Sequence, residues 1–349
     1  MEMKALVVQS PGHAVIQEVP TPRPAANQLL IRVVCAGICG TDLAIYSGEC
    51  SFVRDGSIRY PVRIGHEWAG EVVEVGAAVR DFRPGDRVIC DNGVSCGVCA
   101  DCRDGRYGDC RFGRSVGTID CWDGCFAEYM LMPEYHAYHI SERISYEAAA
   151  IIEPLSIAYE GFRKDALTAE STVAVIGSGP IGVSAVALAK YYGAGRIVCI
   201  ARKDNKLEIA REIGATAVCN NTREDAVQRL LGLTDGRGAD LVVETSGAEQ
   251  GFRQAILMAK KYGHVAVIGF YERDIGSVPI DRLVIQSLEV FGAAGRFGNA
   301  EACRDLLERT DLGLEKMITH RVRFADMLEM LEHADRYSAE RIKAMVYFD

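Results

Sequence analysis

The chain has 349 residues, 49% hydrophobic and 25% charged, a balance that suits a soluble folded protein long enough for two domains and excludes a disordered one. Its net charge of -9 argues against a phosphate-binding face for nucleic acid, and no apolar run reaches the roughly 20 residues needed to cross a bilayer, so neither partner is expected. The start, MEMKALVVQS, lacks the apolar core and cleavage site of a signal peptide. A cytoplasmic location is expected, where an odd count of 13 cysteines fits thiols and thiolate-bound metal better than disulfides.

Residues 1–156 read as short alternating strands broken by Gly and Pro, for example 29–34, 71–75, 87–90 and 128–132, with a surface loop or short lid over 47–60. From Ser171 the pattern becomes strand then helix: 173–176 and 181–190, 196–200 and 203–213, 240–245 and 250–258, then a strand at 264–268. That alternation predicts βαβ units around a parallel sheet. From about Gly295 come helical patterns at 300–309 and 325–333 and an apolar strand at 344–348, which needs a sheet to pair with. The predicted fold is α/β: a mostly β domain over 1–156, a doubly wound parallel-sheet domain over 157–294, and a return of 295–349 to the first.

Within the first domain, Cys96, Cys99, Cys102 and Cys110 are spaced C-x2-C-x2-C-x7-C in a lobe over about 90–112. Four thiolates converging from one doubled-back loop make a closed tetrahedral zinc site, which is structural, and Gly97, Gly105 and Gly108 allow the positive φ angles of such a wrap. The alternatives are two disulfides, scattered thiols, or a ribbon docking on nucleic acid, the last opposed by Asp91, Asp101, Asp104 and Asp109. The other cysteines, such as Cys199 and Cys219, read as small core or loop residues.

After the strand at 173–176 comes Gly177-Ser178-Gly179-Pro180-Ile181-Gly182, a G-x-G-x-x-G opening a helix. Gly177 serves the tight turn, Gly179 the approach of backbone to a pyrophosphate at the helix N-terminus, and Gly182 close helix–sheet packing. Where an acid would read the ribose of NAD, the next strand ends in Ala201, followed by Arg202 and Lys203. A guanidinium there pairs with a 2′-phosphate, so NADP(H) is the preferred cofactor; the alternative is a solvated basic pair with NAD(H) in use. Thr245 and Ser246, and Ile268, Gly269 and Phe270, follow later strands and point at the same crevice, or form ordinary strand-end turns.

Cys39-Gly40-Thr41-Asp42, Gly65-His66-Glu67 and Glu153-Pro154 supply a thiolate, an imidazole and carboxylates. Singly these read as a buried thiol, a helix cap and a helix-start residue; together they read as a catalytic metal site. With the four-cysteine lobe, the segment Asp123-Gly124-Cys125-Phe126-Ala127-Glu128-Tyr129 and the cofactor glycines, the chain resembles the zinc-dependent medium-chain dehydrogenases over nearly its whole length.

The resemblance implies a GroES-like catalytic domain formed by both chain ends, a Rossmann domain between, an active site in the cleft, two Zn²⁺ per chain, and a homodimer or homotetramer. Cys39, His66 and Glu67 match the catalytic-zinc positions of the polyol, sorbitol-like branch. Glu153 stands where simple alcohol dehydrogenases place a second cysteine ligand, and in the polyol branch it binds zinc directly or through water. Gly40 replaces a basic residue, which makes Arg296 a candidate for the pyrophosphate.

Zinc then acts as a Lewis acid on the substrate hydroxyl, hydride passes to the nicotinamide, and Thr41 relays the proton, unless it is only a local helix cap. Tyr46, the 47–60 loop, Phe112, Arg296 and Phe297 are expected to line the pocket. A small polyhydroxylated substrate ranks first: a sugar alcohol, sugar, sugar acid or cyclitol. Residues 39–42 and 124–129 also resemble the threonine 3-dehydrogenases, but those carry Asp at the position of Glu153 and His at that of Ala44. A different class, a non-catalytic NADP-binding relative, would be expected to lose zinc ligands that this chain retains.

Overall fold

The computed structural model describes residues 2–348, which form two compact units. One takes the chain up to Glu153 with Arg296–Thr310 and the segment from Ile318 onward; the other is Pro154–Gly295 with Asp311–Met317. That last piece departs from the rest of the C-terminal segment because it has its own anchors in the second unit. Leu314 and Met317 are buried, and Lys316 lies 3.5 Å from Glu212.

The first unit is built on a seven-stranded sheet. Its path runs Ile318–Arg323, Lys343–Tyr347, Gln28–Ile38, Glu67–Val75, Arg87–Cys90 and Ala137–His139, with Tyr129–Pro133 also paired to Gln28–Ile38. Gln28–Ile38 is buried along most of its length because chain covers both of its faces, so its sequence is apolar with little alternation. Leu29, Ile31, Val33, Trp68, Val72, Val88, Phe126, Met130 and Met132 form the core, joined by Ala344 and Val346 from the C-terminal strand. That strand runs antiparallel to Gln28–Ile38, pairing Ala344 with Ile38 and Tyr347 with Cys35. The hairpin of Glu2–Ser10 and His13–Pro20 was not among the expected elements, and the 47–60 stretch carries a short helix, Ser51–Arg54.

The second unit holds a six-stranded sheet, all parallel, in the order Ala217–Asn220, Arg196–Ala201, Thr172–Ile176, Ala239–Glu244, Ala259–Val267, Glu289–Gly292. This is the doubly wound α/β arrangement that the strand–helix alternation predicts. Chain order reverses between Thr172–Ile176 and Ala239–Glu244, and in open α/β sheets the crevice outside such a reversal receives ligands. The helix Pro180–Tyr191 starts at this point, with every residue from Gly182 to Ala189 buried.

In the first unit the ring of Phe126, fully buried, occupies the space that a side chain at Gly65 would need; a Cβ there would lie 2.7 Å from the ring. Phe126→Ala should cost about 3–5 kcal/mol of stability through lost burial and the cavity left behind, read as a lower urea midpoint.

Candidate active site

Cys39 directly follows the strand Gln28–Ile38, and His66 directly precedes Glu67, the first residue of Glu67–Val75. The strands are antiparallel with Gly37 opposite Glu67, so the register alone sets the thiol beside the imidazole and carboxylate. Donor atoms of Cys39, His66 and Glu67 all lie within 4.8 Å of one another. Gly65 holds the approach to His66 at φ +98, where a β-carbon is strained.

Asp42, in the first turn of the helix Gly40–Ser47, organises the group from inside. One carboxylate oxygen accepts the Cys39 N–H at 2.8 Å; the other accepts the Gly65 N–H at 3.1 Å and lies 3.4 Å from His66 Nδ1. Asp42 therefore fixes the backbone at Cys39 and Gly65 and sets a carboxylate beside the His66 ring, where carboxylates behind metal-binding histidines stand. Burial pushes the His66 pKa down, but the anions Asp42 and Cys39 outweigh it and hold the proton well above the usual range. The site attracts cations. A thiol, an imidazole and a carboxylate converging in a buried, negatively charged space fit a zinc ion of the catalytic kind, with three protein ligands and an open position.

Glu153 stands apart from the converging three. Its Oε1 accepts from Asn92 Nδ2 at 2.9 Å. Burial raises its carboxyl to about 7; His66 and Lys343 oppose the shift, and Glu67 and Asp42 add to it. Thr41 Oγ1 lies 3.8 Å from Cys39 Sγ, next to the site.

Two residues here were not picked out by sequence. Asn92 is one. The other is Lys343, 1% exposed, whose ammonium pairs with Glu67 Oε2 and donates to the Ile38 carbonyl at 3.2 Å. Its only sequence signal is a basic residue at the edge of the apolar C-terminal run, whose strand starts one residue earlier than expected.

The four lobe sulfurs also converge within 4.8 Å, with Cys99–Cys102 at 3.4 Å and Cys96–Cys102 and Cys99–Cys110 at 3.9 Å. Sulfurs at the corners of a tetrahedron with arms of about 2.3 Å are about 3.8 Å apart, so the spacing fits one zinc ion and is far too long for disulfides. The Cys96 thiol is lowered to about 6, first by the Val98 backbone N–H. Gly97 and Gly105 take positive φ, at 72 and 76, whereas Gly108 does not: it lies in the 3-10 turn Tyr107–Asp109, which closes the loop without it. Asp101 and Asp104 are paired with Arg106 at 2.7 and 3.0 Å.

In the second unit Gly177 has φ +113, and a Cβ on Gly182 would lie 2.2 Å from the Gly177 carbonyl, so both must be glycine. A Cβ on Gly179 would meet nothing within 4 Å; the backbone before Pro180 and Ile181 is left bare, as a pyrophosphate cradle requires. Thr245 Oγ1 donates to the Ile176 carbonyl at 2.9 Å, which ties the second strand end to the first, and Ser246 N–H donates to the Glu244 carboxylate at 2.8 Å within its own turn. Ile268 is buried, Gly269 packs against the Gly247 backbone, and Phe270 is exposed. Past Ala201, the exposed Arg202 and Lys203 make no ion pair among the described residues, whereas Asp204 is held by Arg223 and by Asn220 Nδ2 at 2.8 Å.

The residues expected to line the pocket have the following contacts. Tyr46 donates to the Gly12 carbonyl at 2.9 Å, Phe112 is exposed beneath Arg111, and Phe297 sits in a ring cluster 4.8 Å from His136. Arg296 is exposed at the start of the returning segment.

Comparison with known proteins adds the following. The alcohol dehydrogenase GroES-like domain matches residues 25–142, and the zinc-binding dehydrogenase domain matches residues 180–311. The sorbitol dehydrogenase of Bacillus subtilis (strain 168) is 30% identical over 99% of this chain and 97% of its own. The L-threonine 3-dehydrogenase of Pyrococcus horikoshii is 34% identical over 94% of each. Among solved structures, a Sinorhizobium meliloti 1021 protein described as a zinc-binding dehydrogenase, with NADP bound, superposes with a TM-score of 0.88 at 32% identity over 99% of both chains.

Replacing Cys110 with Ser should lower the zinc content by one ion per chain and reduce the melting temperature, with loss of turnover following loss of fold. Metal analysis alongside thermal denaturation checks this.

Proposed function

We propose that this chain, which belongs to the zinc-dependent medium-chain dehydrogenases on their polyol branch, moves a hydride between a secondary alcohol of a polyol, sugar or cyclitol and NADP(H). The convergence of Cys39, His66 and Glu67 in one buried anionic space carries the reading. Cys39, His66 and Glu67 would hold the catalytic zinc, with Glu153 behind them on Asn92, and Cys96, Cys99, Cys102 and Cys110 the structural one. Bound there, zinc supplies Lewis acidity to the substrate hydroxyl and the nicotinamide accepts the hydride.

The remaining work falls to the chain itself. Asp42 orients the imidazole through its contact with Nδ1. Thr41, beside the thiol, takes the hydroxyl proton and passes it toward solvent. The Gly177–Gly182 turn presents bare backbone to the pyrophosphate. Arg202 and Lys203, with no competing carboxylate at Ala201 and with Asp204 occupied elsewhere, receive the 2′-phosphate; the NADP-bound relative supports this choice.

The threonine dehydrogenases among the relatives favour a second reading, oxidation of L-threonine, to which Glu153 and Ala44 stand opposed. The chain is further proposed to be a cytoplasmic homodimer or homotetramer. No described helix is long and apolar enough to cross a membrane.

A screen of polyols, cyclitols and L-threonine against both cofactors, followed by nicotinamide absorbance, should give the highest kcat/KM with a polyol or sugar and NADP⁺. A preference for L-threonine would establish the second reading. Arg202→Ala should raise KM for NADP⁺ and leave that for NAD⁺ nearly unchanged, since one charge-assisted contact to the phosphate is worth about 1.5–3 kcal/mol; equal effects on both cofactors would refute the assignment.

A further inference from the structure

We infer that Lys343 is a positioning residue of the active site, which holds the Glu67 carboxylate between its own ammonium and the metal and so limits the negative charge placed on the ion. The inference rests on the zinc reading of Cys39, His66 and Glu67.

Three observations carry it. The pair is wholly enclosed, with Lys343 and Glu67 each 1% exposed, and an ammonium is put in such a place only against a partner. The partner is a member of the converging three and no bystander: Glu67 Oε2 takes the lysine, while Glu67 also lies within 4.8 Å of the Cys39 and His66 donors. The space is made for them, because a Cβ on Gly37 would stand 2.2 Å from Glu67 Oε2 and 3.2 Å from Lys343 Cδ. The bond to the Ile38 carbonyl, one residue before Cys39, fixes the ammonium to the same strand end that presents the thiol.

A thiolate and one or more carboxylates around a divalent ion bind it tightly, but they also quench its ability to draw electrons from a substrate oxygen. A lysine that claims half of one carboxylate relieves that quenching without surrendering the ligand. A lysine that served packing alone would have no reason to prefer Glu67 to any other acceptor.

The test uses the full-length protein with cobalt(II) in place of zinc, whose absorption bands report the ligands around the ion. K343M should fold and keep two ions per chain, show shifted cobalt bands as Glu67 turns fully to the metal, and lose about 10–100-fold in kcat, with KM for the cofactor unchanged. K343R should keep the wild-type bands and most of the rate. K343M combined with E67Q should show the cobalt bands and rate of E67Q alone, because the lysine acts through that carboxylate. Wild-type bands and rate in K343M, or a double variant whose bands and rate differ from those of E67Q alone, would overturn the inference. Should K343M not fold, the double variant and K343R decide: a double variant that also fails to fold assigns Lys343 to packing and overturns it. An unmutated chain that takes cobalt only at the four-cysteine lobe removes the zinc reading itself, and the inference with it.

Discussion

Negative charge gathered away from water is the constraint around which the first unit is arranged. Cys39, Asp42 and Glu67 meet in its interior with Glu153 close by, and like charges about 4 Å apart repel by about 4 kcal/mol even at an effective dielectric of 20. The chain answers part of that repulsion itself. Asp42 spends its two oxygens on the backbone N–H groups of Cys39 and Gly65, and Glu67 meets Lys343. The same anions hold a proton on His66, so the thiol and the imidazole facing one space balance each other through a proton whose place a divalent ion can take. The metal reading thus follows from electrostatics as much as from the identity of the donors.

Backbone geometry makes that concentration of charge possible. Two antiparallel strands deliver Cys39 and Glu67 to one end of their pairing, and glycines at 37 and 65 clear room for the carboxylate and for the Phe126 ring. A third strand, contributed by the far end of the chain, supplies the cation. The lobe is fastened to the same unit by similar means. His136 Nε2 accepts the Ser95 N–H at 3.0 Å, one residue before Cys96, while its ring packs against Phe297; Asp91 accepts the Gly298 N–H at 3.1 Å. Phe297 therefore ties the returning segment to the lobe.

Local chemistry was legible in the sequence; long-range pairing was not. Cys96, Cys99, Cys102 and Cys110 announce themselves by spacing, because one loop must close on one ion. Gly177, Gly179 and Gly182 do so because a strand and a helix flank them. Lys343 could not be found this way: its partner lies 276 residues earlier, and only the register of the C-terminal strand brings them together. Asn92 is hidden for the same reason, 61 residues from Glu153. Gly108 shows the opposite error. A glycine in a turn-rich loop suggests positive φ, yet here a tight 3-10 turn passes through it with ordinary angles.

The second unit obeys the same charge logic at its surface. A carboxylate does follow the strand that ends at Ala201, three residues on, and in sequence Asp204 looks available to repel a phosphate. In the structure it is paired: Asn220, the last residue of the neighbouring edge strand, and Arg223 just beyond it hold Asp204 at the start of its helix. The side chains of Arg202 and Lys203 are exposed and make no ion pair among the described residues. The local field at that strand end is thus set by two uncompensated cations, with the nearby acid turned to another strand. A reading of cofactor preference from the single residue at the strand end therefore has to take account of where the fold sends the next acid along the chain.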